Sequence, residues 1–360
     1  MLSYSNWSVL TVNFLVVLYL ALGGATLCAV LHLVGAKWRF EIRAIASSLF
    51  ALFPLAFVLL VILLVGGEHT FPWMQKAGEI APHASGWKES MLSTGTPAFT
   101  EHAYHMPGWN NLTFLAAREV LGLLAVMAIH WVFIRRQAVS ERSAEDAARF
   151  HFIACWVPYA YVLYGTMVAW DFEMTMVPSW ESAIYGMQHF ISNFGMFLAF
   201  LVIWIFALNS RNKLLRPVEP YVYNYIAQMM LAFTILWTYT FFAQYLTIWY
   251  GNLSYERNRM VAMQEGDYTL IFWGMFVLKF MFPFSALVFT YTRHHIGAIT
   301  VVATSIIIGT LFERYVWIGG VHDGKGAYPI LAAIVVSGLV AAIGFFLVRM
   351  RLQQTQLIKG

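Results

Sequence analysis

Five ionisable side chains, Glu119, Asp171, His189, Lys279 and Glu313, fall inside or at the edges of stretches that are otherwise apolar. A charged group in hydrocarbon is costly, and where one persists it usually marks a path for protons, ions or substrate. Carboxyl and imidazole groups can take up and hand on protons near neutral pH, and an ammonium deep in a span is a further carrier. These five are therefore the candidate proton relay. Arg118 stands next to Glu119 and Arg314 next to Glu313, so both arginines are expected to support the carboxylates as ion partners; helix-end snorkelling explains them equally well. His189 and Asn193 are four residues apart and share a helix face. A quinone head group needs an aromatic-walled pocket with a few hydrogen-bonding groups; His189, Gln244, Tyr245 and Trp249 are the candidates for one, and composition alone does not distinguish a quinol site from a transporter cavity. Asp171, Glu173 and Glu181 also read as interfacial, solvated acids, and His32 and His130 read as interfacial histidines.

Other chemistries lack their residues. The only cysteines, Cys28 and Cys155, form no C-x-x-C pair, so no metal site is expected. No span carries two histidines spaced for axial ligation on both leaflets, so a b-type haem is not expected. No phosphate-binding G-x-x-x-x-G-K-[ST] loop occurs.

The elements that must hold these groups follow from composition. The 360 residues are 60% hydrophobic, 17% aromatic and only 11% charged, against about 25% charged in ordinary soluble domains. About 20 apolar helical residues cross a bilayer. Runs of that kind lie near 8–34, 43–66, 112–135, 150–171, 183–208, 222–250, 268–292, 296–319 and 327–349. The runs are too long and too uniformly apolar for barrel strands. The expectation is an all-α polytopic membrane protein of nine transmembrane helices, a single integral membrane domain over 1–360 with a long outer loop at 67–111. The start of the chain lacks the basic residues of a cleavable signal, so the first span is expected to be retained.

Charge sets the expected orientation. With the N-terminus outside, fourteen of the 22 Lys and Arg fall on the cytoplasmic side, among them Arg39, Arg43, Arg135, Arg136, Arg211, Lys213, Arg349 and Arg351. Only Lys76, Lys88, Arg257, Arg259 and Lys325 fall opposite, which places the C-terminus in the cytoplasm. The net charge of +4 is thus a topology signal, and no nucleic-acid partner is expected.

Two stretches carry a resemblance. Phe242-Ala243-Gln244-Tyr245-Leu246-Thr247-Ile248-Trp249-Tyr250-Gly251-Asn252, followed by Glu256, resembles the F-x-Q-Y-x-x-x-W-Y-x-N…E signature of NrfD/PsrC-like membrane subunits. The segment from Met174 to Gly186, with Pro178, Trp180, Ser182 and Tyr185, is similar to that family's M-S-L-x-P-x-W-x-S-x-I-Y-G element. Phe71-Pro72-Trp73 and the turn from Trp38 to Arg43 fit the same pattern. Within the family the chain is most similar to the ActF-type subunit of alternative complex III. The chain departs from the pattern in having nine spans rather than ten, Ser254 in place of a proline, and Val177 where an acid is common.

The resemblance implies NrfD-like paired helical bundles in a bacterial cytoplasmic (inner) membrane. It implies a cofactor-free subunit of a quinol:electron-acceptor oxidoreductase, contributing a quinone site, a proton path or both. Menaquinone or ubiquinone would be the diffusible carrier. An iron–sulfur subunit, a multihaem cytochrome, a sister NrfD-like membrane subunit and lipids would be the partners. The residues alone leave two alternatives open, an ion transporter subunit and a structural anchor for peripheral redox subunits.

Overall fold

The computed structural model describes residues 4–71, 73, 109, 111–177, 180, 182–211, 213–264, 268–319 and 329–355. Most of the predicted outer loop at 67–111, together with Pro178 and Glu181, lies outside the described residues.

The first span is α1 (Tyr4–Leu33). The second is built from α2 (Arg39–Ser48), a 3₁₀ turn over Leu49–Leu52 and α3 (Phe53–Val65), with Pro54 at the start of α3. A short α4 (Gly67–Thr70) follows. Then come α5 (Leu112–Val139), α6 (Ala144–Phe172), α7 (Tyr185–Ser210) and α8 (Pro220–Gly251). The segment α9 (Ser254–Gln264) leads into a seventh span made of α10 (Thr269–Phe276), one π-helical turn over Val277–Met281 and α11 (Phe282–Leu287). A short α12 (Thr290–Arg293), then α13 (Ile296–Ile318) and α14 (Ile330–Gln354), complete the chain. Nine of these helical units are long and apolar enough to cross a membrane, and no β-strand occurs among the described residues. The protein is an all-α, multi-pass membrane protein.

The span boundaries agree with the apolar runs to within a few residues, except where polar caps begin a helix early. The fourth span starts at Ala144 rather than 150, because the Ser143 hydroxyl accepts the Asp146 amide N–H at 3.1 Å and Glu145 and Asp146 suit the positive end of the helix. Asn111 caps α5 in the same way, accepting from the amides of Thr113 and Phe114. Asn252 closes α8 in the left-handed conformation, φ 49°. Asn tolerates that conformation better than most residues, which gives the asparagine ending the α8 motif a local reason.

Helix α1 is apolar on every side and is buried accordingly, wrapped by α2, α3, α6, α7, α13 and α14. Gly24 permits this: a Cβ there would lie 2.1 Å from the Ala46 carbonyl oxygen of α2. Small residues let helix backbones approach where no hydrophobic force drives helices together in lipid. Around this axis α5 packs on α6, α6 on α7, α7 on α8 and α13, and α10 on α13. Helix α14 sits at the edge, touching the bundle along one stripe from Ala333 through Val340, Gly344 and Val348 to Leu352. On the side carrying most of the Lys and Arg, Arg43 pairs with Glu141 at 2.8 Å and ties α2 to the α5–α6 turn.

Candidate functional site

Glu313 and Arg314 are neighbours near the end of α13, and the 100° step between successive helical residues sends them to different partners. Both are fully buried. Glu313 Oε1 accepts the Trp237 indole N–H at 2.9 Å from α8. Its Oε2 accepts the Ser192 hydroxyl at 2.5 Å from α7 and the Lys279 ammonium from the seventh span. Lys279 also donates to Ser192 Oγ at 2.5 Å and lies 4.8 Å from the centroid of the Trp237 ring. Arg314 reaches back to Glu313 Oε2 at 3.1 Å and on to Glu173.

The π-helical turn positions Lys279. Its i→i+5 register needs an N–H at Pro283 to satisfy the Leu278 carbonyl, and proline has none. Ser305 of α13 replaces it, donating to Leu278 O at 2.6 Å. Gly309, one turn on, lets the two backbones close up; a Cβ there would lie 3.0 Å from both Lys279 Cβ and Lys279 N. The span is thus interrupted where the buried ammonium emerges, and α13 repairs the break.

Glu173 follows the last turn of α6. Its carboxyl accepts from Arg314 and from the Tyr185 hydroxyl at 2.5 Å, and its Oε2 faces His189 Nδ1 at 2.6 Å. His189 Nε2 lies 2.7 Å from the Tyr19 hydroxyl, which donates onward to the Gly165 carbonyl at 3.1 Å. Tyr19 therefore accepts from Nε2–H. Asp171 and Glu173 were expected to be solvated; both are instead fully buried, because the chain after α6 turns into the bundle rather than along its surface. Arg259 accounts for that turn. Its guanidinium donates to the carbonyls of Glu173 (2.8 Å), Met174 (3.3 Å) and Trp317 (3.2 Å), placing a cation at the C-terminal ends of α6 and α13. It lies over the rings of Trp180 and Trp317, 4.4 and 4.8 Å from their centroids, which are themselves 5.4 Å apart.

A second group adjoins the first. Arg118 clamps Asp171 with two bonds, Nε to Oδ2 at 2.7 Å and Nη2 to Oδ1 at 2.5 Å, and stacks 4.1 Å from the Trp109 ring. The Trp109 indole donates to the same carboxyl at 3.0 Å. Glu119, turned away from Arg118 by the helical step, is fully buried and accepts the Tyr164 hydroxyl at 3.1 Å. Tyr164 immediately precedes Gly165, whose carbonyl holds the Tyr19 hydroxyl. Tyr19, near the middle of α1, thus stands between the Glu119 group and the Glu173 group.

The structure brings all five relay candidates into this region, and Arg118 and Arg314 serve as direct ion partners. The quinone-pocket candidates divide. His189 belongs to the network and Gln244 is buried, but Tyr245 is only partly buried and Trp249 is 65% exposed on the outer face of α8. Four residues that converge here escaped the sequence reading: Tyr19, Tyr164, Trp237 and Arg259. Mid-span Tyr and Trp need polar partners when buried, a signal available for the first three; Arg259 lies in a polar stretch that reads as a loop. His130 is fully buried in the protein, its ring nitrogens 2.8 and 3.3 Å from the carbonyls of Val126 and Leu22.

Two buried glutamines complete the site. Gln188 is one turn from Ser192 on α7, and Gln244 is two turns from Trp237 on α8, so both share faces with ligands of Glu313. Neither side-chain amide finds a hydrogen-bond partner among the described residues. Buried amides are otherwise almost always satisfied, which sets these two glutamines apart. No protein-family model matches the chain, and no curated protein matches it.

Proposed function

We propose that the chain is a membrane subunit of a quinol:electron-acceptor oxidoreductase of the NrfD/PsrC-like kind, nearest the ActF-type subunit of alternative complex III. In this reading it lies in a bacterial cytoplasmic membrane with its N-terminus outside, folded as paired bundles. The observation that carries the reading is the buried assembly of four carboxyl groups (Glu119, Asp171, Glu173, Glu313) with His189, Lys279 and the arginines, gathered toward the helix ends opposite the Arg- and Lys-rich side. Oxidation of a quinol releases two protons with two electrons, and a chain of neighbouring carboxyl, imidazole and hydroxyl groups gives those protons a route. Gln188 and Gln244 supply amide groups suited to quinone oxygens, in place of the pocket containing Tyr245 and Trp249. The chain brings no redox centre of its own to this scheme, so the electrons pass to an iron–sulfur subunit and a multihaem cytochrome, with a sister NrfD-like subunit alongside.

Purification from native membranes in mild detergent tests the proposal. Iron–sulfur and haem-bearing partners should accompany the chain, and the assembly should reduce its acceptor with menaquinol or ubiquinol. Isolation as a lone or homo-oligomeric chain without quinol oxidation would reject it. One observation favours the alternative of an ion transporter: helix interruptions beside buried charges recur in transport proteins, and the seventh span is interrupted at Lys279. Proton flux through the chain alone in liposomes, independent of quinol, would favour that reading.

A further inference from the structure

Helix α14 leaves a cleft on the side away from the polar network. Between it and α1, α7 and α13 lies a cavity of ≈ 440 Å³ whose walls include Leu20, Phe200, Leu311 and Val340. A smaller hollow of ≈ 140 Å³ continues it toward the Arg- and Lys-rich ends of α7 and α14. Trp204 and Phe345, packed edge to face with centroids 5.7 Å apart, line both spaces, so the two are adjoining compartments of one groove.

The compartments differ in chemistry. The larger is almost wholly hydrocarbon. The smaller is lined by Arg211, Lys213 and Arg349, and none of its described lining residues is acidic. At the junction the Trp204 indole N–H is buried and finds no acceptor among the described residues. A long apolar slot, a hydrogen-bond donor at its neck and three cations at its mouth form the sequence acyl chain, ester carbonyl and phosphate.

We propose that this groove binds an anionic glycerophospholipid, with an acyl chain between α7 and α14, an ester oxygen on Trp204 and the phosphate against Arg211, Lys213 and Arg349. A quinone tail would fit the slot, but a neutral head group gives the three cations nothing to pair with. A neighbouring subunit's helix would fill the slot and leave the basic mouth equally unmatched. Basic pockets between transmembrane helices on the cytoplasmic side are suited to anionic head groups, and each Lys or Arg near such a surface contributes about 1 kcal/mol. The site does not depend on the proton network or on any redox role.

Thermal-shift titration of the purified full chain in a neutral detergent tests the proposal, using phosphatidylglycerol, phosphatidylcholine, inorganic phosphate and a long-chain ubiquinone as separate additives. Phosphatidylglycerol should stabilise the protein saturably and the other three should not. Arg349→Gln should weaken the apparent affinity for phosphatidylglycerol about fivefold, and Arg211→Gln with Lys213→Gln should weaken it further. All three positions are exposed, so these variants should keep the melting temperature of the lipid-free protein. Val340→Trp, which fills the slot, should lower the response with the basic mouth intact. Equal stabilisation by phosphatidylcholine, or an unchanged response in the basic-residue variants, would overturn the proposal. So would a full response to phosphate alone or to ubiquinone.

Discussion

His189 Nδ1 and Glu173 Oε2 are 2.6 Å apart in the buried centre of the protein. Arg314 Nη1 lies 2.7 Å from the same ring nitrogen and also reaches the Glu173 carboxyl, so imidazole, carboxylate and guanidinium meet at one point. His189 Nε2–H is already committed to Tyr19, which is committed to Gly165. The pair is thus held in a fixed orientation, in contact on one side with Arg314 and through it with Glu313 and Lys279. The proposed relay rests on neighbouring groups of this kind, close enough to exchange a proton without moving far.

The two cations beside Glu313 are not equivalent. Arg314 faces both Glu173 and Glu313, whereas Lys279 faces Glu313 alone. Removing one partner of a buried ion pair costs about 3–5 kcal/mol because the other charge is left uncompensated. Arg314→Met should lose at least that much stability in detergent unfolding experiments, and Lys279→Met clearly less, since Arg314 still reaches Glu313. Equal losses would mean that the two acids do not share Arg314.

Gly309 tests the repaired break in the seventh span. Gly309→Ala places a methyl 3.0 Å from the Lys279 backbone nitrogen, and overpacking of this kind costs about 1–3 kcal/mol. Gly338→Ala, on α14 with open space around it, should be neutral or stabilising, because alanine favours helix. Thermal melts of the two variants side by side check the contrast.

Gln188 and Gln244 should behave unlike ordinary core polar residues. Their amides have no partner among the described residues, so Gln188→Leu and Gln244→Leu should leave the fold as stable as before, or more so. The same substitutions should lower quinol-driven turnover with a raised KM if these amides meet the quinone. Stability lost in both variants, with turnover unchanged, would assign them a packing role. Trp249→Ala, on the outer face, should leave the KM unchanged.

The spans were legible because each needs only a long apolar run, and Glu119, His189, Lys279 and Glu313 stood out as polar groups inside such runs. Glu173 and Arg259 were not legible. Each lies in a polar connection, and only the packing shows that the α6 end folds inward under a guanidinium bonded to three carbonyls. The grouping of Gln244 with Tyr245 and Trp249 followed their nearness in sequence. At about 100° per residue, positions 244 and 249 lie far apart around the helix. Gln244 is accordingly buried and Trp249 exposed, so the two face different surroundings.

Turnover of the native assembly carrying Glu119→Gln together with His189→Phe bears most directly on the proposed role. Quinol-driven reduction of the acceptor, and the proton release that accompanies it, should fall about a hundredfold, as loss of positioned acid–base groups does, while the partner subunits still co-purify. Undiminished turnover and proton release in the fully assembled variant would contradict the account and leave the buried charges as structural ion pairs.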